Sequence, residues 1–501
     1  MKKILLFLFT SAWLSAFSQS DYSLPPCGTP AALQDVQFGD LDFSRSGGDT
    51  VLYVPMTIFQ LSNDNGAAAM PTNRLLDNLT RLNLDYASAN IQFYMEGDIR
   101  FIKNSAYNNH KDIPTGANMM FKNNIANTIN VYFGTSAAGN CGYNLPYAGV
   151  SMAKSCSGGD SHTWTHELGH ALRLPHPFLG WEGKTYSPNV PTPTKVTYDY
   201  TLFKDSIILN QTIIDTALVE LVDKSNCAKA ADQICDTKAD YYAFRWNCDA
   251  AKESPATLKD PTGASFKIDG SLYMSYSFDA CQNRFSPDEI AVMRTVLKGK
   301  KKNLLYNQTP KSALATTPQV LTLPADKGFS APDNTLLKWE KTNEATDYVV
   351  EISRLSSFSS LDVEVLTKKT EVLVTNLAPN KLYYWRVRPF NSHFAGVISA
   401  KQTFTTNVVS AVKNLDKIND FVAYPNPIDQ NELTLRINAN TDFLAKIQVN
   451  DFMGRIIFEK NIPLNQNEEN IQIAAQNWAK GIYFVSITDE KGSVMSRKVV
   501  K

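Results

Sequence analysis

Three of the chain's six histidines fall within eleven residues, His166-Glu-Leu-Gly-His170-Ala-Leu-Arg-Leu-Pro-His176, and no other segment constrains the local fold so tightly. In an α-helix, residues four apart stand one above the other, so the imidazoles of His166 and His170 can grip one metal ion from a single face. The helix must then end, because Pro175 cannot continue it, and a chain that turns back there brings His176 in as a third nitrogen ligand. Three nitrogens leave the fourth tetrahedral position open for water, which separates a catalytic zinc from a structural one. Glu167, next to the first ligand, is placed to take a proton from that water, whose pKa the metal lowers towards neutrality. His162, one turn earlier, would close the shell if it joined, so it is expected at the helix start and off the metal.

Composition bounds the partners. Forty-nine basic and forty-nine acidic residues cancel, and no basic run stands out, which argues against nucleic acid or an anionic membrane surface. Met1-Lys-Lys, the apolar stretch from Ile4 and a small-residue exit near Ala16-Phe-Ser18 read as a secretory signal peptide over residues 1–19. No later stretch reaches about 18 uninterrupted apolar residues, so no transmembrane segment is expected. Export makes seven cysteines read as disulfides with one left over. Cys27 stands apart from the rest, Cys141 and Cys156 flank a short loop and are expected to bridge, and Cys227, Cys235, Cys248 and Cys281 allow three pairings.

A chain of 501 residues is too long for one ordinary domain, and three folded units are expected. Over 48–306, a strand from Val51, a helix with Leu75, Leu76, Leu79 and Leu82 at helical spacing, and strands at Ile91 and Thr128 predict an α+β domain, and this order resembles that of a zincin, in which a mixed sheet lies beside the H-E-x-x-H helix. Residues 177 to about 226 read as a long loop-like insertion bordering the site. Short alternating runs fill 315–406 and again 418–501, predicting two β-sandwiches.

Asp232 with Cys235-Asp-Thr237, the run Met274-Ser-Tyr-Ser-Phe-Asp-Ala-Cys281 and the run Phe285-Ser-Pro-Asp-Glu-Ile-Ala-Val-Met293 accompany the histidine motif. Together they resemble the pappalysin-like metzincins, zinc metalloproteases that include the cytophagalysin-like endopeptidases, over about residues 27 to 300. The resemblance implies a metzincin-type zincin catalytic domain. Met274 would be the methionine under the three imidazoles, and Tyr276 a tyrosine that steadies the oxyanion. Cys27, in Pro25-Pro-Cys-Gly-Thr29, is similar to the cysteine of zymogen pro-segments whose thiolate fills the open zinc position, which makes 20–47 a pro-segment; the alternative is a cysteine paired within the N-terminus. By the same resemblance Asp232 and Thr237 would help hold Ca2+, the alternative being a loop whose side chains cap turns. Asp279 would lie at the base of the pocket for the residue after the scissile bond and favour Arg or Lys there, the alternative being a turn cap. One departure is Arg173, where metzincins carry glycine; a strained turn at positive φ is expected.

Residues 315–406, with Trp339 and Leu377-Ala-Pro-Asn-Lys-Leu-Tyr-Tyr-Trp, resemble a fibronectin type III domain in which Tyr383 would be the corner tyrosine and Trp339 a core residue. Tyr424-Pro-Asn-Pro427, Gly481-Ile-Tyr-Phe-Val and the basic end Arg497-Lys-Val-Val-Lys501 resemble the sorting domain read by the type IX secretion machinery of Bacteroidetes bacteria. The expectation is therefore a secreted or cell-surface zinc endopeptidase acting on proteins or peptides, with a separable spacer and a sorting domain. The alternative is a zincin-like fold retained for adhesion, with the Arg173 turn as its sign of decay.

Overall fold

The computed structural model of the protein describes residues 24–29, 38, 41–45, 48, 50–67, 69–204, 207–407, 415–429 and 431–501. The expected signal peptide and most of the expected pro-segment lie outside the described residues.

The first unit is built on Leu52–Ser62, an almost wholly buried strand whose near-continuous apolar run suits the centre of a parallel sheet. Ile91–Met95 and Arg100–Lys103 pair with it in parallel on one side and Ile129–Gly134 on the other. Gly149–Ala153 continues the parallel order, and Gly142–Leu145 closes the sheet as an antiparallel edge. The helix Thr72–Asp85 lays Leu75, Leu76, Leu79 and Leu82 onto this sheet, in one core with Trp164 and Leu168 of the helix Thr163–Ala171. The helix Pro287–Lys298 starts with a capping box: the Ser286 hydroxyl accepts from the Glu289 N–H, and the Glu289 carboxylate accepts from the Ser286 N–H.

One sequence expectation is corrected here, and one alternative left open is resolved. The insertion after residue 177 is not an irregular loop, because Lys195–Lys204 and Ile207–Leu218 form an antiparallel hairpin. The β-branched and aromatic residues crowded into both runs favour strands, and the proline-rich start of the segment hides this. The three open cysteine pairings resolve to Cys227–Cys235 and Cys248–Cys281 beside Cys141–Cys156, and Cys27 is free and buried.

The second unit is a sandwich. Leu321–Leu323, Thr335–Trp339 and Glu371–Val374 form one sheet; Gly328–Ser330, Gln402–Thr406, Leu382–Phe390, Asp347–Ser353 and Val363–Thr367 form the other. Trp339 is buried between them, and the Tyr383 hydroxyl accepts the Ala378 N–H at 2.9 Å, the corner contact of fibronectin type III-like sandwiches. This unit is not a loose spacer. Val349 and Phe390 belong to the core of the first unit, Glu364 accepts the Thr72 N–H and hydroxyl at 2.9 and 2.7 Å, and Arg388 donates to Asn73 O and Asp77. The His393 ring stacks on Tyr94 with centroids 4.6 Å apart.

The third unit pairs Ile418–Tyr424, Glu432–Ala439 and Asn467–Ala474 in one sheet and Ile456–Leu464, Phe443–Asp451, Ile482–Thr488 and Val494–Val500 in the other. Its core is its own and includes Leu415, ahead of the boundary expected at 418. Among the described residues, no helix is long and apolar enough to cross a membrane.

Candidate metal centre

His166 and His170 project from one face of Thr163–Ala171, and the turn that follows returns the chain with His176 facing them. The turn is a Schellman motif: Leu174 N–H donates to Gly169 O and Arg173 N–H to His170 O, both at 2.9 Å. Arg173 occupies its left-handed position with φ of 72°, where glycine is the easy choice. Inside the helix, Gly169 lies against Met274, and a Cβ there would fall 2.4 Å from the Met274 sulfur. Met274 is fully buried, and a larger residue at 169 would force its side chain to shift.

Each imidazole is fixed from outside by its Nδ1. His166 Nδ1 meets Tyr273 O at 2.8 Å, His170 Nδ1 meets Leu174 O at 2.7 Å, and His176 Nδ1 meets the Glu182 carboxylate at 2.9 Å. All three partners are acceptors, so Nδ1 carries the proton and each Nε2 presents a lone pair. The three Nε2 atoms lie 3.0 to 3.2 Å from one another, and the Cys27 sulfur stands 3.6 Å from His170 Nε2. The four donor atoms all fall within 4.8 Å, close enough to hold one metal ion. Burial, with the neighbouring imidazoles, drives His166 and His170 well below the usual histidine range, and burial lowers His176, so all three stay neutral. Burial and then the Glu167 charge push the Cys27 thiol up.

Glu167 lies beneath the edge strand: a Cβ on Gly142 would meet its side chain at 2.8 Å. Burial raises its carboxyl to about 8, against hydrogen bonds from Cys27 and Thr29 that lower it. Thr29 Oγ1 donates to Glu167 Oε2 at 3.0 Å and accepts the Asn144 N–H at 2.8 Å. The segment Pro25–Thr29 lies along the edge strand, with Cys141 N–H on Pro25 O and Gly28 N–H on Gly142 O, both 2.8 Å. It runs in the same direction as that strand. The Tyr276 hydroxyl donates to Cys27 O at 3.1 Å, and its ring packs edge-on to His176.

His162 is held away from the cluster. Its Nδ1 lies 2.7 Å from Asp85, which also accepts the hydroxyls of Thr165 and Tyr273. Asp232 and Thr237 are joined by a 3.0 Å hydrogen bond in a buried turn, apart from the histidines. Beside them Glu220 buries both carboxylate oxygens with no hydrogen-bond partner. Burial, then the Asp232 and Asp240 charges, raises it to about 9. Asp279 lines a cavity of about 10 Å³ against His166, but it does not stand there by itself, since Arg245 reaches it at 3.9 Å. Sequence reasoning passed over Thr29, Glu182, Glu220 and Arg245: Thr29 and Arg245 gain their meaning from partners remote in the chain, whereas Glu182 stands only six residues beyond His176.

Residues 422–501 match the family described as the secretion system C-terminal sorting domain. The protein carries a type IX secretion sorting domain. Its partner in export is that secretion machinery, and it is secreted or displayed at the surface of a Bacteroidetes-type bacterium. No curated protein matches the chain. Among solved structures, the chicken CNTN1 FN1–FN3 domains align with 38% of this chain and 67% of theirs at 10% identity and a TM-score of 0.19. The sixth fibronectin type III domain of human fibronectin type III domain containing protein 3 aligns with 20% of this chain and 92% of its own at 17% identity and a TM-score of 0.16. An immunoglobulin-like DUF3244 family protein from Bacteroides vulgatus covers 17% of this chain and 98% of its own at 23% identity and a TM-score of 0.14.

Proposed function

We propose that the chain is a secreted zinc endopeptidase of the metzincin type, kept latent by its own Pro25–Thr29 segment. One observation carries this reading: three buried imidazoles, protonated on the outside, aim their lone pairs at a common point beside a buried glutamate. Three lone pairs facing one another at about 3 Å repel unless a cation lies between them. Zinc fits. Tetrahedral bonding at ordinary zinc lengths sets nitrogen–nitrogen edges of about 3.3 Å and nitrogen–sulfur edges of about 3.6 Å, close to the 3.0 to 3.2 Å and 3.6 Å separations present. The outer acceptors Tyr273 O, Leu174 O and Glu182 orient the rings as carbonyls and carboxylates do around bound metals.

When bound, zinc would polarise a peptide carbonyl and acidify a water molecule. The chain's own groups supply the rest. The edge strand Gly142–Leu145 offers N–H and C=O groups to an extended peptide once Pro25–Thr29 has left it. Glu167 takes the proton from the attacking water and returns it to the leaving amine; burial, which favours its protonated form, suits the second half of that exchange. Tyr276, freed from Cys27 O, donates to the charge growing on the substrate's carbonyl oxygen. In the latent chain Cys27 would serve as a fourth ligand to the metal, while Cys27 O engages Tyr276 and Thr29 engages Glu167. Ca2+ would suit the buried oxygens of Asp232, Thr237 and Glu220 as a structural ion, since both Glu220 oxygens are buried without a hydrogen-bond partner.

The Arg173 turn closes its hydrogen bonds normally and gives the adhesion alternative no support. The test uses the chain trimmed of its N-terminal segment. One zinc per molecule and cleavage of unstructured peptides are expected, with cleavage abolished and zinc retained in Glu167→Ala. Undiminished cleavage in that variant, or undiminished zinc in His176→Ala, refutes the assignment.

A further inference from the structure

The cavity beside His166 is lined by His162, Thr163, Tyr276, Asp279, Gln282 and Arg245, and by Pro26 of the latent segment. It opens next to the three imidazoles, so in the peptidase reading it receives the substrate side chain that follows the scissile bond. An isolated buried carboxylate in such a cavity would select a guanidinium or an ammonium. Asp279 is not isolated. Its Oδ1 accepts the His162 N–H at 3.4 Å, at the start of the histidine helix, and faces Arg245 Nη1 at 3.9 Å. Arg245 is itself fixed, because the same Nη1 donates to Ser277 O at 3.0 Å, and its side chain is only 14% exposed. Gln282 closes the wall by donating to Ser275 O and Ser277 O at 2.8 and 3.1 Å.

We propose that Arg245 sets the selectivity of this pocket by neutralising Asp279, so that the substrate class is peptides with an uncharged side chain after the scissile bond. This rests on the peptidase reading of the site. A basic side chain entering the pocket meets the fixed guanidinium at close range, and the carboxylate that would welcome it is already shared between Arg245 and a helix N-terminus. An acidic side chain meets Asp279. Only a neutral side chain enters without facing a like charge.

The experiment uses the trimmed, zinc-loaded chain and peptides that differ only in the residue after the cleaved bond: alanine, glutamate, lysine or arginine. The parent is expected to favour alanine over arginine by about tenfold or more in kcat/KM. Arg245→Gln, which keeps an N–H for Ser277 O, is expected to shift the ratio towards arginine by about tenfold, and adding Asp279→Asn is expected to cancel that shift. A parent that already favours arginine over alanine overturns the proposal, and so does an Arg245→Gln ratio within about twofold of the parent's. The same ratios are read as dissociation constants of hydroxamate peptides carrying those side chains, bound to Glu167→Ala. If no peptide is cleaved, the peptidase reading falls, while the hydroxamate ratios still decide the pocket.

Discussion

Thr29 provides the sharpest test of how the latent segment is held. Its hydroxyl makes two buried contacts, donating to Glu167 Oε2 at 3.0 Å and accepting the Asn144 N–H at 2.8 Å. Valine has nearly the same shape and neither capability, so Thr29→Val strands a carboxylate oxygen and a backbone N–H in a buried site. Glu167 is already poorly provided for, since its Oε1 is buried with no hydrogen-bond partner. A hydrogen bond to a charged group contributes about 1.5 to 3 kcal/mol and a neutral one about 1. Losing both is expected to cost about 3 kcal/mol, a weakening of roughly a hundredfold. The assay adds a peptide of residues 20–47 in trans to the trimmed chain and measures its inhibition constant and, by fluorescence, its dissociation constant. Thr29→Ser is expected to restore most of the affinity, and in Glu167→Ala the cost of Thr29→Val is expected to shrink to about 1 kcal/mol, the share belonging to Asn144. If the Thr29→Val peptide binds within about threefold of the parent, this hydrogen bond does not hold the segment.

Three further outcomes are expected. Gly169→Ala brings a Cβ within 2.4 Å of the Met274 sulfur and is expected to cost about 1 to 3 kcal/mol in urea unfolding; with Met274→Ala added, the loss should be smaller than the sum of the two single losses, and strict additivity would refute the contact. Deleting residues 315–406 takes Val349 and Phe390 out of the first unit's core and uncovers Tyr94, so a lowered unfolding midpoint with increased dye binding is expected, and an unchanged midpoint would restore the separable-spacer view. His393, buried against Tyr94, has its pKa lowered to about 4 by burial and by Lys311; the unfolded chain then binds more protons between about 6.5 and 4, so stability falls with pH through that window. His393→Phe is expected to flatten that slope in thermal unfolding followed between pH 7 and 4, and an unchanged slope would assign it to other groups.

Much of the candidate site could be read in the sequence because its geometry is local. His166 and His170 share a face by helical periodicity, Pro175 ends the helix, and Arg173 adopts the positive φ that the turn demands of whichever residue stands there. The alternation of apolar residues gave both sandwiches, and Tyr383 found its corner five residues from its partner. The helical leucines at 75, 76, 79 and 82 were equally plain, since burial follows one face of a helix. The hairpin at Lys195–Leu218 was hidden by the proline-rich stretch ahead of it.

What the sequence determined by itself was therefore every arrangement fixed by neighbours within one or two helical turns, where covalent geometry limits where a side chain can go. What only the tertiary structure decided were the meetings of residues far apart in the chain. Cys27 beside His170, Thr29 on Glu167, Tyr276 on Cys27 O, Arg245 on Asp279 and the pairing of Cys248 with Cys281 belong to this group. Such contacts depend on how sheet, helix and loop pack together, and no local preference encodes them: Asp279 reads as a lone anion in the sequence, and as half of an ion pair only once the fold has brought Arg245 to it.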